Sequence, residues 1–298
     1  MTVGNYQGAE AFRSSLEQRI RNVNRETGMP HDRLRKDVAF HRLVARFVAA
    51  GDDRWAIKGG VALLWRVGAE ARATRDVDAN WWGTTDDLEA FLDTVIEQDP
   101  GDWFEFEVSA PRPLQGEAEG GRRFAVAARL AGREFSAFRL DVNFTTDARP
   151  IEPVPIHLSL LEFAGLADLV VPMISIAQQL AEKLHAVTRT YSSGDSSRAK
   201  DAYDSVLFAQ AGMLPGAGTL RMAVAETFAI RRTPLPLSPP DLPIGWREPL
   251  RSLLTDFALA GIDRVEELET GWMRLWEPIL DGSASDSARW DPAALSWA

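Results

Sequence analysis

The stretch WAIKGGVALLWRVGAEARATRDVDANWW, residues 55–82, decides the fold. Trp55–Lys58 is a short apolar run of strand type, Gly59-Gly60 turns the chain, and Val61–Val67 has helical spacing. The chain then returns to a strand that carries Asp76 and Asp78, separated by Val77 alone. Residues i and i+2 of a strand face the same side. Two carboxylates therefore aim at one place while Val77 packs the other way. Like charges that close repel unless a cation lies between them. Hard carboxylate oxygens suit Mg²⁺, with Mn²⁺ as the alternative. Glycines between strand and helix let backbone N–H groups approach an anion. A phosphate cradle beside a carboxylate pair is the minimum equipment for phosphoryl or nucleotidyl transfer. Alone, a D-x-D is commonly a solvated strand edge and a Gly-Gly a plain turn. The strand–turn–helix–strand order joins them into one signal.

Composition sets the outer bounds. A chain of 298 residues points to two domains, or one domain with a large extension. It has no cysteine, which excludes disulfides, Cys-ligated zinc and thiol chemistry and fits a reducing cytoplasm. A net charge of −10 argues against a general nucleic-acid binder, so RNA would have to be met by a local basic patch. The start, MTVGNYQGAEAF, is polar and shows no signal peptide. The longest apolar region, 160–181, is broken by Glu162, Asp168 and Pro172, so no membrane association is expected.

Upstream of the central stretch, Phe12, Leu16, Ile20 and Val23 predict a helix from Ala9 to about Glu26. A second helix follows over His31 to Ala50. Its Arg33, Arg35, Lys36, Arg42 and Arg46 form either a solvated face or a surface for a nucleotide or RNA. Downstream, Thr84 caps a helix running from Asp86 to about Gln98. Trp103–Ser109 alternates as a half-exposed strand, and 115–121 reads as a loop. Arg122–Leu130 and Glu134–Phe144 form a hairpin turning at Ala131-Gly132. In its second strand Phe138, Leu140 and Val142 share one face, and Arg139 and Asp141 the other. Asp141 is thus a third carboxylate leaving a sheet, or part of an ordinary polar strand face.

The Pro-rich run 150–156 marks the expected boundary between domains 1–155 and 156–298, the second mainly helical. Ile176, Leu180, Leu184, Val187 and Tyr191 stripe a helix, with Lys183 at the stripe's edge. Its ammonium either snorkels or meets a phosphate. After the loop 192–197, Asp201 and Asp204 lie three apart on a helix with apolar residues on both sides. Asp201 is either in a site or in a salt bridge with Lys183 or an arginine. The tail 281–298 docks through Trp290 and Trp297 or stays loose. His157 and His185 read as structural, having no partners at metal-ligand spacing.

Lys58-Gly59-Gly60 followed by Arg72-x-Thr74-x-Asp76-x-Asp78 resembles the AbiEii-type nucleotidyltransferase toxins, a family that includes MenT-like toxins of type IV-like toxin–antitoxin systems. That family lies within the polymerase β-like nucleotidyltransferase superfamily. Glu182-Lys183-Leu184-His185-Ala186 and Arg198-Ala199-Lys200-Asp201-Ala202-Tyr203-Asp204 are similar to two further motifs of the same family. The resemblance implies an α+β fold: a mixed sheet flanked by helices, with a C-terminal helical domain. It implies a metal-dependent enzyme that moves an NMP from an NTP onto an RNA acceptor, the tRNA 3′ end, and so blocks translation. Asp76 and Asp78 would hold Mg²⁺, with Asp141 as the third acid. Lys58, Gly59 and Gly60 would bind the nucleotide, Lys183 would contact the triphosphate, and Asp201 would be the downstream essential acid. A cognate antitoxin would be a partner. The turn is Gly-Gly where the wider superfamily has Gly-Ser, so the backbone alone must bind phosphate there. Alternatives are a protein or small-molecule acceptor, or an inert interaction module. The presence of all the expected acids and the lysine speaks against the last. Thr74, two before Asp76 and so expected on its strand face, is a candidate regulatory phosphosite.

Overall fold

The computed structural model describes residues 6–114, 120–146, 150–166, 168–189 and 198–298. The expected loops at 115–121 and 192–197 and the stripe residue Tyr191 lie partly or wholly outside them. The chain divides into two compact units, Met1–Trp65 with Ala73–Met173, and Arg66–Arg72 with Ile174–Ala298.

The first unit opens with helices α1 (Ala9–Thr27) and α2 (His31–Ala50), then β1 (Trp55–Lys58), α3 (Gly59–Val67), β2 (Asp76–Trp81) and α4 (Thr85–Glu97). Strands β3 (Phe104–Val108), β4 (Arg112–Pro113), β5 (Gly121–Leu130), β6 (Arg133–Phe144), β7 (Ile151–His157) and β8 (Asp168–Ile174) follow. They build a mixed eight-stranded sheet in the order β3-β5-β6-β2-β1-β8-β7, with β4 paired to β5. Strand β2 runs antiparallel to β1 and parallel to β6. Alternation sends Val77, Ala79 and Trp81 of β2, and Phe138, Leu140 and Val142 of β6, into the core. Helical side chains meet them there: Phe40 of α2 lies edge-on to Phe138 at 4.9 Å, and Phe91 of α4 stacks on Trp81 at 5.1 Å. Thr84 caps α4 and closes a capping box with Asp87. The β5–β6 hairpin turns at Ala131 and Gly132, both at positive φ as a tight two-residue turn requires.

Two expectations are corrected here. The Pro-rich run 150–156, expected as a boundary with helices beyond it, lies almost wholly within β7, and the first unit continues through β8 to Met173. Strand β7 is at the sheet edge, where proline's missing N–H leaves no ladder bond unmade. The basic face of α2 is not a nucleotide or RNA surface at Arg42 and Arg46. Both are buried on Asp102, with Arg42 Nε at 2.5 Å and Arg46 at 2.7 and 2.9 Å. Arg35 pairs with Glu17 and Lys36 with Asp32.

In the second unit Ser175 caps α5 (Ile176–Thr188), and α6 (Ala199–Gln210), α7 (Ala217–Ile230), α8 (Arg247–Asp256) and α9 (Val265–Leu280) follow. Helix α6 packs against α5, α8 and α9, which is why nearly all its residues are buried. Short strands β9 (Trp290–Asp291) and β10 (Ser296–Trp297) pair antiparallel. The tail is docked: Trp290 Nε1 donates to Ala209 O and Trp297 Nε1 to Leu275 O, both at 2.9 Å.

The two histidines singled out have local partners. His157 lies 2.9 Å from Asp168 and 2.6 Å from Glu162. His185 is buried, with Nε2 3.0 Å from Thr233 Oγ1. Burial, helped by Arg231 and Arg189, pushes its imidazole from 6.5 down to about 4. The unfolded chain then binds the extra proton first as pH falls, so stability is present above the unfolded value and lost on acidification. Melting temperature is expected to fall between pH 6.5 and 4, and His185→Gln to flatten that slope in the same buffers.

Candidate active site

The carboxylates leave the sheet on the face opposite Val77. Strand register sets the arrangement. Asp78 is the cross-strand partner of Lys58 on β1 and of Asp141 on β6, and Asp141 is in turn the partner of Arg123 on β5. Cross-strand partners share a face. Lys58, Asp78, Asp141 and Arg123 therefore form one row across four strands. One step along, Asp76 stands opposite Arg139. The third carboxylate read from alternation on β6 is thus next to the pair on β2.

Sequence reading missed the two arginines. Arg139 grips Asp76 through two parallel bonds of 2.7 and 2.8 Å, and Arg123 grips Asp141 through bonds of 2.7 and 2.6 Å. Hydrogen bonding to their carboxylates, first Asp141 and Asp76 respectively, holds both guanidinium groups more firmly protonated than usual. A signal existed: Arg139 is two residues before Asp141 on the same strand face, and Asp141 needed a counter-charge.

Gly59 links this row to the turn. Its φ is +64°, a left-handed conformation that glycine adopts without strain. A Cβ built there would overlap Asp78 Oδ2 and lie 2.8 Å from Asp78 Cγ. The backbone at the start of α3 thus touches the Asp78 carboxylate, and only glycine permits it. Gly60, next along, is buried.

Among the described residues no three acidic, histidine or cysteine side chains are gathered closely enough to hold a metal ion as they stand. The donor chemistry nonetheless fits a hard divalent cation: carboxylate oxygens on adjacent strands of one sheet face. Positive charge is supplied there by Arg139 and Arg123.

Lys183 and Asp201 belong to the second unit and come together with Asp204. Lys183 Nζ lies 3.1 Å from Asp201 and 2.6 Å from Asp204. Arg72 grips Asp204 at 2.8 and 2.9 Å, and Arg198 reaches Asp201 at 3.3 Å. The salt bridge that was one of two readings of Asp201 is therefore made. Burial opposes the charge on Asp204, but Lys183 and Arg72 outweigh it and hold the carboxyl below its usual range. Burial likewise opposes the Lys183 ammonium, and Asp204 and Asp201 outweigh it, raising its pKa. Arg72 was visible as part of a motif, but its partner, 132 residues away, was not. Thr74 does not share the strand face of Asp76. Strand β2 begins at Asp76, and the Thr74 hydroxyl donates to the Asp76 carbonyl at 3.2 Å. The strand geometry that suggested a phosphosite is absent.

A mixed sheet with a glycine turn, an adjoining D-x-D strand and a helical second unit defines a nucleotidyltransferase fold. The same architecture occurs in MenT4, a nucleotidyltransferase toxin of Mycobacterium tuberculosis H37Rv, at 20% identity and a TM-score of 0.60, covering 91% of each chain. JHP933 of Helicobacter pylori is a more distant likeness, at 13% identity and a TM-score of 0.45 over 83% of this chain and 94% of that one. No curated protein sequence matches. The family model for the nucleotidyl transferase AbiEii toxin of type IV toxin–antitoxin systems matches residues 42–291, and the chain belongs to that family.

Proposed function

We propose that this toxin transfers an NMP from an NTP to the 3′ end of an RNA, tRNA foremost, and thereby arrests translation. The observation that carries the reading is the Gly59 backbone set against Asp78, with Asp76 and Asp141 on the same sheet face. Family membership supports the reaction class and an antitoxin partner. The acceptor and the arrest rest on resemblance.

In this reading Asp76 and Asp78 hold a divalent cation, Mg²⁺ or Mn²⁺, and Asp141 completes the set. Bound there, such a cation would offset negative charge on the α-phosphate and lower the pKa of the attacking hydroxyl. The Gly59-Gly60 backbone and Lys58 bind the phosphates. The RNA hydroxyl oxygen bonds to the α-phosphorus as the α–β bridging bond breaks. Pyrophosphate leaves, and the hydroxyl proton passes to a cluster carboxylate. Asp201 and Asp204 keep the Lys183 ammonium charged and fixed, as the family resemblance asks of a phosphate-binding lysine. Action takes place in the cytoplasm, where NTPs and tRNA are abundant.

The test is label transfer from each α-labelled NTP to total tRNA with Mg²⁺, beside Asp76→Ala. Label on tRNA that the variant fails to add is the expected result. Label on another RNA, a protein or a small molecule would replace the acceptor. Absence of both transfer and NTP binding would remove the enzymatic reading.

A further inference from the structure

Two of the three carboxylates assigned to the cation, Asp76 and Asp141, are gripped by guanidinium groups. All four oxygens of Asp76 and Asp141 accept N–H bonds from Arg139 and Arg123, at 2.6 to 2.8 Å. A fork-to-carboxylate pair is among the stronger ionic contacts. A divalent cation would draw on the same four oxygens, at about 2.1 Å. A guanidinium held this close to a dication would meet strong repulsion. The two occupants therefore compete for these carboxylates.

Exposure shows which partner can move. The Arg139 and Arg123 side chains are 47% and 40% exposed, whereas Asp76 and Asp141 are 25% and 9% exposed. The arginines approach from the solvent side and can swing away without unpacking the core. Asp78 is held differently, against the Gly59 backbone. A triphosphate seated on the Gly59-Gly60 turn would lie on the same sheet face as both guanidinium groups. The planar fork that fits a carboxylate fits a phosphate equally well.

We propose that Arg123 and Arg139 form a latch over the cation site: they hold Asp141 and Asp76 in the nucleotide-free protein and transfer to phosphate oxygens of an arriving triphosphate. Cation and NTP then bind as a pair, and free cation is kept out. The inference rests on the nucleotidyltransferase reading of Asp76 and Asp78. In it Arg123 and Arg139 hold the metal ligands while no nucleotide is present and contact the triphosphate once it is bound.

The test is Mn²⁺ binding by the full chain, followed by electron paramagnetic resonance, with and without α,β-imido nucleoside triphosphates. Wild type, Arg139→Gln, Arg123→Gln and the double variant are compared, and circular dichroism checks that each folds. Wild type is expected to bind Mn²⁺ alone weakly and about tenfold more tightly with the triphosphate, an ordinary coupling between two ligands. The double variant is expected to bind Mn²⁺ alone about tenfold more tightly than wild type and to show little further gain from the triphosphate, its coupling lost. Folded variants that bind Mn²⁺ alone no better than wild type, in a protein that still binds Mn²⁺ with triphosphate, would overturn the latch and leave the enzymatic reading standing. Failure of every protein to bind Mn²⁺ under either condition would overturn both.

Discussion

Gly59→Ala is expected to cut kcat/KM for label transfer by about a hundredfold or more, the scale associated with displacing a reacting group by about 1 Å. Two effects combine at this position. The left-handed backbone at φ +64° costs a residue with a Cβ roughly 1–2 kcal/mol. The added carbon also overlaps Asp78 Oδ2, so the carboxylate must leave its place in the row with Lys58 and Asp141. Gly28→Ala is the matched control. Gly28 has φ +74° with nothing within 4 Å of a built Cβ, so it carries the backbone cost alone. A thermal melt and an activity assay on both variants separate the effects. Similar loss of stability, with activity lost only in Gly59→Ala, is the expected pattern. Full activity in Gly59→Ala would show that Asp78 is not needed where it stands.

Asp102→Ala is expected to destabilise the first unit strongly. The carboxylate is fully buried, accepts from Arg42 and Arg46, and also accepts the Phe104 N–H at 3.0 Å. Burial opposes its charge, but Arg46 and Arg42 outweigh that and hold the carboxyl below its usual range. Removing it leaves two guanidinium groups buried, Arg42 at 2% and Arg46 at 1% exposure, with their shared counter-ion gone. Breaking a buried pair in this way costs about 3–5 kcal/mol. Glu17→Ala, which opens the more exposed pair with Arg35, is expected to cost about 1 kcal/mol or less. Urea midpoints for the two variants, at unchanged slope, make the comparison. Equal midpoints would mean that the triad does not hold the unit together.

Much of this molecule was legible in its sequence because periodicity reports which face a residue takes. The alternation in β6 put Asp141 on the open face, and the spacing of Phe12, Leu16 and Ile20 gave α1 its buried stripe. Periodicity does not report what lies opposite. Arg42 and Arg46 looked like a basic surface because Asp102 is 60 and 56 residues away and sits in a turn without a pattern of its own. Alternation put Arg139 on the face of Asp141, but the partners of Arg123 and Arg139 are set by register, which no single strand encodes. Prolines gave the clearest misreading. The Pro-rich run 150–156 suggested a domain boundary, yet an edge strand tolerates Pro153 and Pro155, and edge position is a property of the whole sheet.

The segment Arg66–Arg72 is grouped with the helical unit, although it connects α3 to β2. Arg66 Nη2 donates to Ile174 O at 2.8 Å, and Arg72 binds Asp204. The glycine turn and the D-x-D strand are thus joined by a loop whose shape is fixed by residues far later in the chain. Recombination could not exchange the C-terminal part as a cassette at a single crossover near Met173. A graft would also have to replace the segment Arg66–Arg72, which lies between the glycine turn and β2. A hybrid carrying a foreign C-terminal part is expected to fold well only when it keeps partners for Arg66 and Arg72.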